Sequence, residues 1–504
     1  MWGFVLGIIL ILLLIVGYYL LYYNYWSERG VPAISPIYTF HNFSELVFRV
    51  SPKFTNLKDL YFKNQDKRYV GLFQFFRPIL MVNDLDLIKK ICVQDFDTFT
   101  DHSPYPNVLF TDKLFHKNVF SMTAEDGWYE LRGALTPFFS GSKLRRWYPL
   151  MRRCSEQVLD YLNSCESTDC VDLRDLFERY SNDVIGSASL GVCCNSVRDR
   201  DNPFFNGCRY LANFSGMKGI TYIVYSLYPR LLQIIAPSLI KSKVTDFFLQ
   251  LIRENMHYRL ERNIVRDDIV SLLTKYIQNK SGMKETSLNA SGGVCDMTIA
   301  EVTAGVAVFL IAGFETVAYT LTFAAYELAI NPEVQKKVCN EIEETLNKYD
   351  GELTFDAINS MNYIENVIFE ALRIHLVFSI IDRRCTKNYT IEPVHPGEKP
   401  VHLKEGDCVW IPAGPIHHDP KHYPNPQKFD PDRFGKNKPF SLMPFGIGPK
   451  SCLGVRFAML ECKLILVEIL RSFDIVPVKK TISSLPTFKD TSFGLSRKTL
   501  SNKV

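Results

Sequence analysis

The run Phe445-Gly446-Ile447-Gly448-Pro449-Lys450-Ser451-Cys452-Leu453-Gly454 sets one cysteine in a glycine-rich loop, just ahead of an apolar stretch, Val455 to Leu470, of helical spacing. A cysteine at a helix N-terminus meets orphan N–H groups and the positive end of the helix dipole, which favour thiolate over thiol. The chemistry implied is that of a metal ligand or a nucleophile. A dinucleotide-binding loop is a poor reading, because no strand with a βαβ context precedes these glycines. A cysteine hydrolase would need a histidine and an orienting Asn or Asp. His417 and His418 are present, but nothing in the sequence ties them to Cys452, and the pair reads as loop surface.

A second candidate is Ala312-Gly313-Phe314-Glu315-Thr316, where two small residues are followed by an acid and a hydroxyl. Its bland reading is helix packing at Ala-Gly, with Thr316 back-bonding to a carbonyl one turn earlier. The element carrying it begins at Thr298-Ile299-Ala300-Glu301, a capping box in form, and runs apolar to Asn331-Pro332. Thirty-odd residues at about 1.5 Å each make a rod of about 45 Å, long enough to cross a whole domain. Helical periodicity also marks Leu144–Leu162, Leu173–Leu190, Phe247–Arg262 and Pro332–Tyr349. Tyr69–Val82 and Cys408–Pro412 read as short strands, and Asn279–Gly293 reads as a surface loop. The fold class is mostly α with minor β.

With 47% hydrophobic and 22% charged residues, disorder, collagen and low complexity are excluded. The net charge of +4, from 58 basic and 54 acidic residues, is far from that of a dedicated nucleic-acid binder. Thirteen cysteines without a CxxC pair argue against a disulfide framework or a zinc site. Residues 1–26 carry no charge, and Trp2 to Tyr23 is long enough for the roughly 20-residue span of a bilayer core. The Tyr/Trp cluster through Trp26 looks like an interfacial belt, so an uncleaved membrane anchor is expected. Residues 27–36, with Pro32 and Pro36, read as a semi-rigid hinge before a body at 37–504. Asn42, Asn213, Asn289 and Asn388 begin glycosylation sequons that a cytosolic body would leave bare.

Together these features resemble the cytochrome P450 monooxygenases over essentially the whole chain, and the WSERGVP and CTKNYTIEP stretches look like insect family-9-type enzymes. Phe445, Gly448, Cys452 and Gly454 match FxxGxxxCxG, Glu370 and Arg373 match ExxR, and Ala312 to Thr316 match the oxygen-site pattern. Pro431 to Phe434 match the meander motif, and Trp128 and Arg132 match WxxxR. The resemblance implies a P450 fold, with haem b buried between helices beside the long central one and an N-terminal transmembrane helix. It implies Cys452 as axial ligand, where a thiolate pushes electron density that favours O–O cleavage. Phe445, Gly446, Gly454, Ala312 and Gly313 would line the haem, with Trp128, Arg132, Arg383 and Lys450 clamping its propionates. Glu370, Arg373 and Arg433 would lock the meander, and Thr316 with Glu315 would relay protons. Two departures stand out. Lys450 replaces the family's usual Arg, and Ile374-His375-Leu376-Val377-Phe378 lacks a paired-proline stretch.

Phe110, Phe115, Phe120, Phe309, Ile380 and Phe493 fall in stretches that resemble substrate-contact segments, each with a core-packing alternative. Ile220–Ile240, with Arg230 as its single charge, reads as a segment that dips into the membrane or packs as an ordinary helix. The implied partners are NADPH-cytochrome P450 reductase, with cytochrome b5 as a second donor, the endoplasmic reticulum membrane and a lipophilic small molecule, with no nucleic acid. Leu131–Ser155 holds Arg132, Lys143, Arg145, Arg146, Arg152 and Arg153 with no acid, a basic patch that Lys436, Lys438 and Lys463 would extend toward the reductase. Rival readings are a haem-thiolate isomerase or dehydratase, against which the Glu315-Thr316 pair stands, and a non-catalytic membrane haem binder.

Overall fold

Apolar residues all round the helical turn require burial on every side, and the stretch from Ile299 to Ala329 is the buried axis of the molecule. The computed structural model describes residues 24–34, 55–74, 77–102, 118–165, 170–213, 240–281, 296–435, 437–478 and 492–497, with Gly17 and Leu114 as isolated positions. The expected membrane span before Asn24, the Ile220–Ile240 segment apart from Ile240, Phe110 and Phe115 lie outside the described residues. In chain order the principal helices are α1 (Thr55–Phe62), α2 (Trp128–Leu135), α3 (Gly141–Ser164), α4 (Leu173–Leu190), α5 (Pro203–Ala212), α6 (Ser242–Glu261) and α7 (Ile269–Ser281). They continue with α8 (Asp296–Ile330), α9 (Pro332–Lys348), α10 (Tyr363–Ile374) and α11 (Val455–Ser472).

The central helix α8 starts two residues before the expected cap, at Asp296, and stops where Asn331 N–H makes a last bond to Glu327 O and Pro332 opens α9. Its apolar length would suffice for a membrane span, yet it packs along α4, which is buried from Leu176 through Leu190. The two axes approach closely because Gly313 has no side chain: a Cβ there would stand 2.8 Å from Ile185 Cγ1. Of the loop expected at Asn279–Gly293, the first three residues are helical, since α7 runs through Ser281, and the rest lies outside the described residues.

Among the described residues three small sheets flank the helices. β1 (Tyr69–Gln74) and β2 (Arg77–Val82) form a hairpin that divides the single extended run expected at Tyr69–Val82. β2 pairs in parallel with β7 (Cys408–Ile411), which pairs antiparallel with β4 (Ile381–Arg384), Arg383 opposite Val409. With neighbours on both sides, β7 is buried at all four positions, which is why it reads as a continuous apolar run. β3 (Cys170–Asp172), β9 (Ser492–Arg497) and β8 (Phe473–Val476) form the second sheet, and β5 (Tyr389–Ile391) and β6 (Val401–Leu403) the third.

The described part of the segment expected to be a semi-rigid hinge, up to Ile34, is docked on the body. Ala33 bridges Gly71, Gly71 N–H donates to Pro32 O at 2.8 Å, and Ile34 N–H donates to Gly71 O at 3.0 Å. Trp26, expected at a membrane interface, is 3% exposed and donates Nε1–H to Leu72 O at 3.0 Å. Its ring lies flat over Gly71, where a Cβ would come within 2.3 Å of it. Trp26 therefore belongs to the core of the body.

Candidate functional site

The cysteine loop is shaped by its glycines. Gly446 and Gly448 have φ of +77° and +70°, and a Cβ on Gly448 would stand 1.9 Å from Cys92 O, so no side chain fits there. The loop closes with Cys452 N–H on Phe445 O at 2.8 Å and Ser451 N–H on Gly448 O at 2.9 Å, and α11 begins three residues after Cys452. Phe445 packs edge-on against Phe369 at 6.1 Å. Burial pushes the Cys452 thiol up, while the Gly454 N–H and the Arg132 guanidinium pull the other way. The residue is nonetheless exposed, as befits a thiol that faces a cleft inside dense protein.

Cations gather beside it. Arg132 donates to Ser451 O at 2.6 Å and Arg383, 1% exposed, to Asp382 O at 2.7 Å and Ile447 O at 2.9 Å. Arg383 Nε is buried with no partner among the described residues. Burial brings Lys450 down to about 8, with Asp101 and Asp382 opposing and Arg383 and Arg132 adding. Its Nζ lies 4.8 Å from the centre of the Trp128 ring and 3.5 Å from Met122 O. Trp128 differs from its expected clamp role: its indole N–H is engaged with Val119 O at 3.1 Å, and what it presents to Lys450 is a ring face. Among the described residues neither Arg132, Arg383 nor Lys450 has a carboxylate at ion-pair distance. One buried and one half-buried guanidinium and a half-buried ammonium group, hydrogen-bonded to carbonyls, are suited to an anionic ligand, so the donor set fits the two carboxylates of a haem.

On the central helix, Ala312 is the exposed residue of a stretch otherwise covered from Ile299 to Ala329, and Gly313, Glu315 and Thr316 are half-buried. Thr316 donates its hydroxyl to Ala312 O, the back-bond of the bland reading, and Gly313 is accounted for by its contact with Ile185. Glu315 Oε1 is 3.8 Å from Arg174 Nη2, whose Nε is held by Glu178 at 2.9 Å. Phe139, which the motifs do not mark, ties the two sides together. It stacks on Phe309 at 6.1 Å and lies edge-on to Phe457 at 6.3 Å, and a Cβ on Gly454 would sit 3.7 Å from its ring.

Glu370 and Arg373, both fully buried, form a fork of 2.8 and 2.9 Å, and Arg433 Nε and Asp430 N–H complete the Glu370 Oε1 shell at 2.8 and 3.0 Å. Arg373 goes on to His417 O at 2.7 Å and Pro426 O at 2.8 Å. His417, expected on a loop surface, is 0% exposed, and its Nε2 accepts from Met443 N–H at 2.9 Å, joining this network to the start of the cysteine loop. Burial holds it neutral, down to about 3.

The expected substrate contacts are scattered. Phe309 is a core residue, and Ile380 packs into the cluster of Leu57, Ile79 and Trp410. Phe120 is 45% exposed and stacks on His102 at 5.0 Å. Phe493 lies in β9 opposite Val171. The basic patch is also answered from outside its segment. Lys143 and Arg146 share Asp267, Arg145 forks onto Asp356 and Arg152 pairs with Glu156. Lys463, expected on the surface, is 2% exposed and held by Glu365 at 3.4 Å. Lys436 lies outside the described residues.

The family described as Cytochrome P450 matches residues 36–504. A cytochrome P450 9e2 from Blattella germanica is 34% identical over 510 residues, 95% of this chain and 93% of its own. A probable cytochrome P450 9f2 from Drosophila melanogaster is 34% identical over 476 residues, 91% and 90% of the two chains. A cytochrome P450 6k1 from Blattella germanica is 29% identical, over 94% and 92%. A match of this extent, on a mostly helical fold with small sheets, decides the class: the chain belongs to the cytochrome P450 family, similar to the insect family 9 enzymes, and is by that membership a haem-thiolate monooxygenase.

Proposed function

We propose that the enzyme hydroxylates or epoxidises lipophilic small molecules, such as xenobiotics, plant toxins, insecticides or terpenoid and hormone-like compounds. It uses O2 and electrons from NADPH-cytochrome P450 reductase, with cytochrome b5 as a second donor. The carrying observation is an exposed cysteine beside one buried and two half-buried cations whose hydrogen bonds go to carbonyl groups. In this reading Cys452 would hold the iron of a haem b through its thiolate, and Arg132, Arg383 and Lys450 would hold the propionates, Trp128 shaping the site through its ring. Phe445, Gly446 and Gly454 flank the cysteine, and Ala312 and Gly313 keep the opposite wall low. The bound haem thiolate supplies the activation of dioxygen and the transfer of one oxygen atom.

Thr316 holds a proton donor in the cleft. Its hydroxyl hydrogen is on Ala312 O, so its oxygen lone pairs can accept from a water that in turn delivers a proton. Glu315, half-buried within reach of Arg174, is the acid that refills that chain. Glu370, Arg373 and Arg433 support the loop without touching the chemistry. The chain sits in the endoplasmic reticulum membrane through the segment before Asn24, with its body in the cytosol. Similarity to insect enzymes of families 6 and 9 supports the microsomal and reductase-linked parts of this reading.

Two variants test it. Cys452→Ser is expected to lose the thiolate-type carbon monoxide spectrum of the reduced protein, because a serine oxygen is a poor replacement for a soft donor. An unchanged spectrum rejects the ligand assignment. Thr316→Ala is expected to keep that spectrum and consume NADPH with reductase present, while product per NADPH falls, because the proton chain is displaced and reducing equivalents are diverted to peroxide or water. A ratio equal to wild type would make Thr316 a packing residue.

A further inference from the structure

One stripe of α4 lies along the turn of α8 that carries Glu315 and Thr316. Arg174, Glu178, Ser181 and Ile185 are spaced four, three and four positions apart, so they share one face of α4. Ile185 fills the notch left by Gly313. One turn back, the fully buried Ser181 places its Oγ 2.9 Å from Phe314 O. Two turns further back, Arg174 reaches Glu315 at 3.8 Å while Glu178 holds its Nε. Followed backwards, α4 therefore meets α8 at 313, 314 and 315 in turn, and Thr316 comes next.

A serine inside a helix ordinarily returns its hydroxyl hydrogen to the carbonyl one turn earlier. Ser181 has that choice in Phe177 O at 2.8 Å, with Glu178 O at 3.2 Å. A hydroxyl has one hydrogen, so Phe314 O on α8 competes for it. A bond to Phe177 O does nothing for α8, whereas a bond to Phe314 O crosses between two helices where water is excluded and the interaction is strong. Thr316 spends its own hydroxyl hydrogen on Ala312 O, so the direction of its lone pairs follows the rotation of this turn. Resting on the proton-relay reading above, we propose that Ser181 is a positioning residue of the monooxygenase: its hydroxyl donates to Phe314 O and fixes the rotation of the turn that presents Glu315 and Thr316. The two contacts divide the task. The apolar contact of Ile185 with Gly313 sets how closely the helices approach but tolerates sliding, and the hydrogen bond is directional and removes that freedom.

The test uses the full-length holoprotein. In S181A the turn loses one neutral hydrogen bond, and amide hydrogen exchange across residues 314–318 is expected to be about fivefold faster, with exchange in α10 unchanged. With reductase, NADPH and ethoxycoumarin as a lipophilic probe, hydrogen peroxide released per NADPH consumed is expected to rise, by less than in Thr316→Ala, since the proton chain is shifted and not cut. S181C, close in size but a weak donor, is expected to fall between S181A and wild type in both measurements, and it decides if S181A yields no holoprotein. Exchange across residues 314–318 equal to wild type, or raised equally in α10, overturns the proposal. So does a wild-type peroxide ratio in S181A when Thr316→Ala raises it. If Thr316→Ala leaves the ratio unchanged as well, the proton reading of Thr316 is what has failed, and the exchange result alone decides on Ser181.

Discussion

Two charge clusters adjoin the cysteine loop, one buried around Glu370 and one half-buried around Lys450, and they are built on opposite principles. Around Glu370 every charge is answered: a carboxylate takes two guanidinium groups and a backbone N–H, and the guanidinium groups spend their remaining donors on carbonyls. Around Lys450 the cations outnumber the acids, and Arg132 and Arg383 face carbonyl oxygens. A closed cluster of charges is a structural lock, because breaking it strands a buried ion. A surplus of one sign is a binding site, since only a ligand of the other sign completes it.

Breaking the closed cluster gives the largest expected effect. Glu370→Ala leaves Arg373 buried and uncompensated, and should cost about 3–5 kcal/mol of stability, the scale for removing one partner of a buried pair. Denaturant unfolding would read this, and a loss below about 1 kcal/mol would show that water reaches the site. The same cluster carries a pH signature through His417. Its titration lies near 3 in the folded chain against about 6.5 unfolded. The unfolded state therefore binds the extra proton below pH 6.5, and stability falls as pH falls, by about 2 kcal/mol at pH 5. His417→Gln, which keeps an acceptor for Met443 N–H, should flatten that slope. The smallest effect belongs to the open cluster. Lys450→Arg replaces a point charge by a fork, and should slow haem loss about threefold, or about 0.7 kcal/mol, with unfolding of the haem-free chain nearly unchanged.

Sequence reasoning located what spacing encodes. Cys452, the Glu370-Arg373 pair and the long central helix each follow from local pattern, and Arg433 was reachable through the meander motif. What stayed hidden depends on contacts distant in sequence. His417 and His418 look alike in the chain, yet His417 is buried by the turn that receives Arg373 and Met443. His102 reaches Asp382, 280 residues on, through the bridge of Asp101 with Arg384. The run from Leu131 to Ser155 contains no acid, but Asp267 and Asp356 arrive from other elements to neutralise it. Gly313 is an instance of two explanations competing for one residue, and its contact with Ile185 supplies the packing one.

The seating of Trp26 over Gly71 bears on how this enzyme can be cut for expression. A soluble version trimmed after residue 26 would discard a tryptophan that fills a notch in β1, a loss of about 3–5 kcal/mol on the scale of large aromatic truncations in cores. It would also uncover Phe73, whose ring lies 6.4 Å from the indole. Such a product would be sticky and short-lived for reasons unrelated to membranes. A cut before Asn24 keeps the plug, so the seating of Trp26 on β1 survives whatever is removed upstream.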